Sequence, residues 1–193
     1  MFNTIFKIVY FVEFVIISVI RKYYTNKQHK EKIDIDKKTG FEIFLLIING
    51  IGMIIPVFYV LTSRLDFANY YLPDWIGWLG AVLFIDAMWI LYKSHADLGR
   101  HWIAIVGMRE NHKLVTTGIY KYIRHPMYAA HIIWAIAQVM MLHNWIAGYS
   151  FIVVIIPFYI YRVKKEEEML SETFGEEYEI YRNKTGALFP KSL

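Results

Sequence analysis

Apolar residues fall along this chain in long blocks separated by short polar segments, and the block lengths set the first expectation. Residues 4–20 form an almost unbroken apolar run, interrupted by Lys7 and Glu13 and closed by Arg21 and Lys22. Residues 41–61, 75–92, 126–142 and 145–161 repeat the pattern. Each block is close to the roughly 20 helical residues that cross a hydrocarbon core of about 30 Å. The pattern predicts an all-α, polytopic membrane protein: five transmembrane helices in a single domain over residues 1–193, then a helical tail. In that tail, residues 162–181, Leu170, Phe174, Tyr178 and Tyr181 recur at helical spacing behind charged residues. A cleaved signal peptide is the rival reading of the first block, but the block is long, lacks a small-x-small site and ends in basic residues. Residues 23–38 are Lys-rich with no periodic apolar face and read as a loop, while 63–73 read as an aromatic link with Tyr70 and Tyr71 at interface level.

Polar residues inside the blocks refine the picture. Asp86 is expensive in lipid and should face protein or water, with a structural partner. Glu13 should face the bundle or pair with a neighbour. Asn49-Gly50-Ile51-Gly52 looks like the start of a dinucleotide fingerprint, but no strand precedes it and no third glycine is in register. Small residues in a membrane helix serve close helix packing instead. His143-Asn144 is a tight turn that should return the fifth helix antiparallel beside the fourth, and Pro157 should kink that fifth helix unless the helix has already reached the interface.

Composition agrees with the blocks: 56% of the 193 residues are apolar, 18% are aromatic and the mean hydropathy is +0.32, too apolar for a soluble chain of this length. Cysteine is absent, which excludes disulfides, thiolate metal sites and a cysteine nucleophile. Charge sets the orientation. Of the 21 Lys and Arg residues, 19 lie in 21–38, 93–124 or from 162 onward, three segments that five spans bring to one side. By the positive-inside rule that side is cytoplasmic and the N-terminus is outside.

The chemistry is concentrated in residues 112–128, His-Lys-Leu-Val-Thr-Thr-Gly-Ile-Tyr-Lys-Tyr-Ile-Arg-His-Pro-Met-Tyr. Gly118 permits a turn. Pro126 suits the first turn of a helix, where its missing N–H is not needed, so Arg124 and His125 should stand at a helix N-terminus, an anion-binding place. A second constellation, Arg162-Val-Lys-Lys-Glu166-Glu-Glu, puts Arg162 and Glu166 on one helix face. Two readings stay open on spacing alone. One is an ordinary i,i+4 salt bridge. The other is a pair at the membrane boundary that offers a guanidinium to an anionic substrate and a carboxylate to a cofactor amine or ribose. A zinc site from His112, His125, His131 and His143 lacks the His-x-x-x-His spacing that such sites use.

The run His112-x-Leu-Val-x-x-Gly118-x-Tyr120-x-x-x-Arg124-His125-Pro126-x-Tyr128, followed by Arg162-x-x-x-Glu166-Glu and Phe174-Gly175-x-x-Tyr178-x-x-Tyr181, resembles the isoprenylcysteine carboxyl methyltransferase family, itself related to the phospholipid N-methyltransferases. The resemblance covers about residues 98–190, and the short five-block layout resembles the small prokaryotic members, the methanogen one in particular. It implies a membrane enzyme that binds S-adenosylmethionine on the cytoplasmic side, releases S-adenosylhomocysteine and is partly roofed by its tail. On that resemblance His112, Lys113, Leu114, Val115, Tyr120, Arg124, His125, Pro126 and Met127 line the cofactor pocket. Glu166 contacts the cofactor, and Arg162 holds the carboxylate of a lipid-tailed, prenylcysteine-like acceptor that arrives from the bilayer. One departure is Ile105, which stands where the eukaryotic enzymes have a cofactor-contacting glutamine. The expected partners are that acceptor and membrane lipids, with no nucleic acid and no metal, for a monomer in a prokaryotic cell membrane. Three alternatives keep their place: a phospholipid or amine N-methyltransferase, an NADPH-dependent reductase on a related scaffold, and a non-enzymatic membrane protein.

Overall fold

In the computed structural model the described residues are 2–28, 33–36, 39–99, 107–109 and 113–191. The long helices are α1 (Phe2–Gln28), α2 (Gly40–Leu61), α3 (Asp74–Leu98), α4 (Pro126–Met141) and α5 (Ser150–Phe174), followed by a short α6 (Glu176–Lys184). Helices α3 and α4 form the most extensive pair, and α2 lies along α5.

The distribution of apolar side chains is inverted relative to a water-soluble bundle. Ile8, Val12 and Val19 of α1, Ile47, Ile54 and Leu61 of α2, Val82, Ile85 and Trp89 of α3, and Val153 and Ile160 of α5 all point outward. Glu13, His131, Gln138 and Asn144 are buried inside. Two helices, Gly40–Leu61 and Asp74–Leu98, are long and apolar enough to cross a membrane by length and composition alone, and Pro126–Met141 is a shorter apolar helix. At 16 residues, α4 extends about 24 Å, and it is the most enclosed of the set, with Trp134 and four of its alanines buried.

Small residues set the closest approaches. A Cβ at Gly52 would collide with the Ser150 carbonyl of α5, and the Ser150 hydroxyl donates to the Gly52 carbonyl at 2.9 Å. Gly52 thus does the packing anticipated for it, whereas Gly50 faces open space. Helix α5 continues through Pro157 without a break and runs on past Arg162 to Phe174, so much of the expected tail extends the fifth helix. Gly175 then turns the chain with φ +51°, in the left-handed region that glycine adopts without strain, and α6 follows.

Three expectations need correction. Residues 23–38 are not simply a loop: α1 runs to Gln28, and Ile33–Asp36 (β1) pairs antiparallel with Gly107–Arg109 (β2). The Ile-Asp-Ile-Asp run alternates with the period of a strand, and this small ribbon qualifies the all-α expectation. Asp86 is exposed on the outer surface, with no hydrogen bond or ion pair among the described residues. The inner face of α3 is taken by Gly80, Ala81, Phe84, Ala87 and Leu91, and a residue two positions from Phe84 lands on the far side. Third, the α4–α5 turn is longer than His143-Asn144, because α5 begins only at Ser150.

Asn144 organises that turn. Its Oδ1 accepts from the backbone of Ile146 at 3.0 Å and Ala147 at 2.9 Å, and its Nδ2 donates to Leu65 O at 2.6 Å and Asn69 Oδ1 at 2.8 Å. Tyr59 also donates to Asn69 Oδ1, and Lys7 pairs with Asp66, so the start of α1, the α2–α3 link and this turn close one end of the bundle. The opposite end carries the α1 C-terminus, the ribbon, the start of α4 and the extension of α5. Asn144→Ala should lower thermal stability in detergent by about 2–4 kcal/mol, since it orphans several buried partners at once. A change below about 0.5 kcal/mol would mean that the turn is held by its apolar neighbours instead.

Candidate active site

Between α4 and the extension of α5 the chain builds a ladder of buried charge. Pro126 occupies the first turn of α4 and His125 the position before it, as the sequence implies. The approach is shaped at Gly118, whose φ of +61° opens a short 3-10 turn, and Asp97 accepts from the backbone of Ile119 at 2.8 Å while pairing with Lys93 at 3.1 Å. A Cβ at Gly118 would collide with that carboxylate. Tyr120 is then buried, and its carbonyl accepts from the Tyr181 hydroxyl at 2.7 Å, which brings α6 over the site.

Facing the start of α4, α5 presents Arg162, Glu166 and Glu167. Arg162 donates from Nε to Glu166 at 2.9 Å, and its Nη1 lies 3.8 Å from Glu42 of α2. Glu166 also accepts a short hydrogen bond from the Tyr128 hydroxyl. His125 sits between the two glutamates, with Nε2 3.2 Å from Glu167 and Nδ1 3.6 Å from Glu166. Arg124 makes a two-nitrogen contact with Glu167, at 3.0 Å from Nε and 2.7 Å from Nη2. Its Nη1 donates to the carbonyls of Arg182 and Thr185, and the backbone N–H groups of Arg124 and His125 donate to Gly186 and Ala187. Arg124 therefore clasps the C-terminal segment onto the start of α4.

This arrangement sets the ionisation. Burial alone would pull His125 down, but hydrogen bonds to Glu166 and Glu167 outweigh it and hold the imidazole above its ordinary 6.5. Burial would raise Glu166, yet Arg162 and His125 bring it to about 2. Glu167, bonded first by His125 and then by Arg124, is also lowered to about 2. Each carboxylate of the ladder thus faces a cationic or hydrogen-bonding group that favours its ionised form.

Ten of the sequence-predicted site residues line one cavity of about 310 Å³, a volume within the range of small-molecule sites. Lys113, Leu114, Val115, Tyr120, Arg124, His125, Pro126 and Met127 come from the first motif, and Arg162 and Glu166 from the second. His112 and Ile105 lie outside the described residues. Sequence reasoning missed several members. Glu42 is fully buried at the start of α2, where it read as the flank of an apolar block. Glu167 lies within the second motif, where the i,i+4 spacing from Arg162 points to Glu166 instead. Arg21 read as the stop of the first block, and it reaches the cavity together with Asn49, His131 and Tyr159. Among the described residues no group of three or more metal-binding side chains occurs, and His112, one of the four histidines considered for zinc, lies outside them.

Comparison with known proteins gives a consistent set of likenesses. The family model described as the isoprenylcysteine carboxyl methyltransferase (ICMT) family matches residues 78–172. A protein-S-isoprenylcysteine O-methyltransferase B of Arabidopsis thaliana is 30% identical over 143 residues, 73% of each chain. A protein-S-isoprenylcysteine O-methyltransferase of Schizosaccharomyces pombe is 39% identical over 100 residues, 51% of this chain and 42% of its own. Among solved structures, the eukaryotic intramembrane Ras methyltransferase ICMT superposes with a TM-score of 0.55 at 19% identity, covering 94% of this chain and 62% of that one, a likeness of fold.

The charge ladder predicts a two-sided pH dependence of stability in detergent. Glu166 and Glu167 have folded values below their ordinary 4.5, so their contribution is present above 4.5 and lost as pH falls toward about 2. His125 is raised above 6.5, so its contribution is present below 6.5 and lost as pH rises through its higher folded value. The melting temperature should fall on both limbs, and His125→Gln should flatten the alkaline one. An alkaline limb unchanged in His125→Gln would remove His125 from the ladder.

Proposed function

The chain belongs to the isoprenylcysteine carboxyl methyltransferase family, and on that premise we propose that it transfers a methyl group from S-adenosylmethionine to the carboxylate of a lipid-tailed, prenylcysteine-like acceptor, giving a methyl ester. The observation that supports this most directly is the meeting of two distant motifs, around Arg124-His125-Pro126 and Arg162–Glu166, in one cavity at the end of an apolar helix bundle.

The residues present suit that cofactor. A ligand with a cationic sulfur, an ammonium, a carboxylate and an aromatic base needs both signs of charge and apolar wall. The cavity offers the Glu166 carboxylate, the His125 imidazole and Lys113, beside Leu114, Val115, Met127, Met169 and Leu170. When bound, the cofactor supplies a methyl group on a positively charged sulfur; an acceptor carboxylate oxygen forms the new carbon–oxygen bond as the carbon–sulfur bond breaks and its electron pair returns to sulfur. The carboxylate is already ionised at neutral pH, so no general base is required of the chain. What the chain must do is orient and dehydrate. Arg162, with Nε fixed on Glu166, keeps Nη2 to direct one oxygen of the acceptor carboxylate. Phe158, whose ring lies 5.6 Å from the Arg162 guanidinium, and Leu46 keep water from it. Alignment within such a dry site is the main source of acceleration for a displacement of this kind.

The same reading gives the membrane disposition: five spans, the N-terminus outside, and the cavity on the cytoplasmic face, where the acceptor leaves its tail in the bilayer. The outward apolar faces of α1, α2, α3 and α5 support it. In this cysteine-free chain, single cysteines in place of Lys184 and Asn69 should label from opposite sides of the membrane. Labelling from one side would break the five-span reading.

Purified in detergent, the protein should bind S-adenosylhomocysteine by calorimetry and transfer labelled methyl to N-acetyl-S-farnesylcysteine as a base-labile ester. Arg162→Ala should cut transfer roughly 10- to 150-fold, the loss of one charge-assisted hydrogen bond of about 1.5–3 kcal/mol, with little change in cofactor affinity. Arg162→Lys should recover only part, because a point charge lacks the planar two-donor geometry. Glu166→Ala should instead weaken S-adenosylhomocysteine roughly tenfold or more. Tight NADPH binding without S-adenosylhomocysteine binding, or base-stable methylation of an amine lipid insensitive to Arg162→Ala, would overturn the proposal.

A further inference from the structure

Three arginines line the cavity, and their partners differ. Arg124 is matched by Glu167 and Arg162 by Glu166 and Glu42. Arg21, from the end of α1, has no carboxylate within ion-pair distance among the described residues. Among the described residues its hydrogen-bonding partner is a histidine: Nη1 lies 3.5 Å from His131 Nε2. His131 Nδ1 lies 2.7 Å from the Met127 carbonyl and must donate to it, which leaves Nε2 as a neutral acceptor. The imidazole therefore orients the guanidinium without neutralising it. A second polar group on this wall is also unmatched, since Asn49 Oδ1 of α2 is buried with no hydrogen-bond partner.

The place of Arg21 separates it from the motif residues. His131 is one turn farther into α4 than Met127, so Arg21 stands one turn toward the membrane interior from the 113–127 segment. It shares that deeper wall with Asn49, Tyr159 and Arg162. An unmatched guanidinium beside apolar helices is costly unless an anion arrives. On the membrane side of the cavity, the anion available is the head of a lipid-tailed acceptor.

We propose that Arg21 is the acceptor's carboxylate anchor: its guanidinium, held by neutral His131, supplies the charge that draws an anionic, lipid-tailed acid into the cavity, while Arg162 sets the orientation of the oxygen that reacts. This rests on the carboxyl-methylation reading above. It adds a division between the two arginines: among the described residues Glu42 and Glu166 lie against Arg162, and no carboxylate lies against Arg21.

The test uses the full-length protein loaded with S-adenosylhomocysteine and compares binding of N-acetyl-S-farnesylcysteine with that of its carboxamide. Wild type should prefer the carboxylate. Arg21→Gln should reduce that preference at least tenfold and raise the acceptor KM, with S-adenosylhomocysteine affinity within about twofold of wild type, and Arg21→Lys should fall between. An unchanged carboxylate preference in Arg21→Gln would overturn the proposal, as would a loss confined to S-adenosylhomocysteine binding, which would place Arg21 against the cofactor. Should Arg21→Gln fail to fold, Arg21→Lys decides, because wild-type KM and preference in that variant would also overturn it. Absence of carboxyl methylation by wild type would instead reject the underlying reading, so the two failures are distinguishable.

Discussion

The site depends on the contact between the start of α4 and Arg162, Glu166 and Glu167 of α5. Apolar packing alone would let these helices slide or rotate against each other, since in lipid the hydrophobic effect does not hold helices together. The ladder Arg124, Glu167, His125, Glu166, Arg162 fixes both register and rotation. Each member needs its neighbours, because removing one partner of a buried ion pair typically costs about 3–5 kcal/mol. The ladder is assembled by secondary structure. Pro126 starts α4 at the residue after His125, and the i,i+4 spacing puts Arg162 and Glu166 on one face of an α5 that continues beyond the apolar block.

The rest of the fold delivers those two helix segments to the same place. At the far end, Asn144 closes the α4–α5 turn and ties it to the α2–α3 link. Along the bundle, Gly52 lets α2 approach α5 closely enough for Glu42 to reach Arg162. The apolar side chains that would fill the core of a soluble protein face outward, while the interior holds Tyr10 bonded to Gln138 and a stack of aromatic rings about Trp134. Specificity of packing therefore comes from small residues and satisfied polar groups.

How much of this could be read from the sequence follows the range of each signal. Local chemistry was legible: Pro126 marked a helix start, Gly118 a turn, and the Arg162–Glu166 spacing a shared face. The apolar blocks located the long helices, but α1, α3 and α5 each run on past the end of their block, where charged and polar residues hid a continuous helix. The signals that failed were those that need a partner from elsewhere in the chain. Ile33–Asp36 alternates like a strand, but four residues mean little until Gly107–Arg109 lies beside them. Glu42 and Arg21 sit at block ends, where a charge usually meets water, and only the helix packing shows that both turn inward. Among the described residues Asp86 lacks the partner expected for it, because the glycine and alanine face of α3 is the one that packs and leaves Asp86 on the exposed side.

Arg124 shows how the roof and the charge ladder are one device. It stands at a helix N-terminus, where a free guanidinium would suggest a direct anion ligand, but its donors are taken by Glu167 and by the Arg182 and Thr185 carbonyls. Those carbonyls belong to the end of α6 and the residue after it, so the docking of the C-terminal segment draws on an Arg124 that Glu167 holds in place. Glu167 in turn shares His125 with Glu166, the carboxylate that faces the cavity. The roof over the cavity and the carboxylate that lines it are thus joined through three contiguous side chains, Arg124, Glu167 and His125.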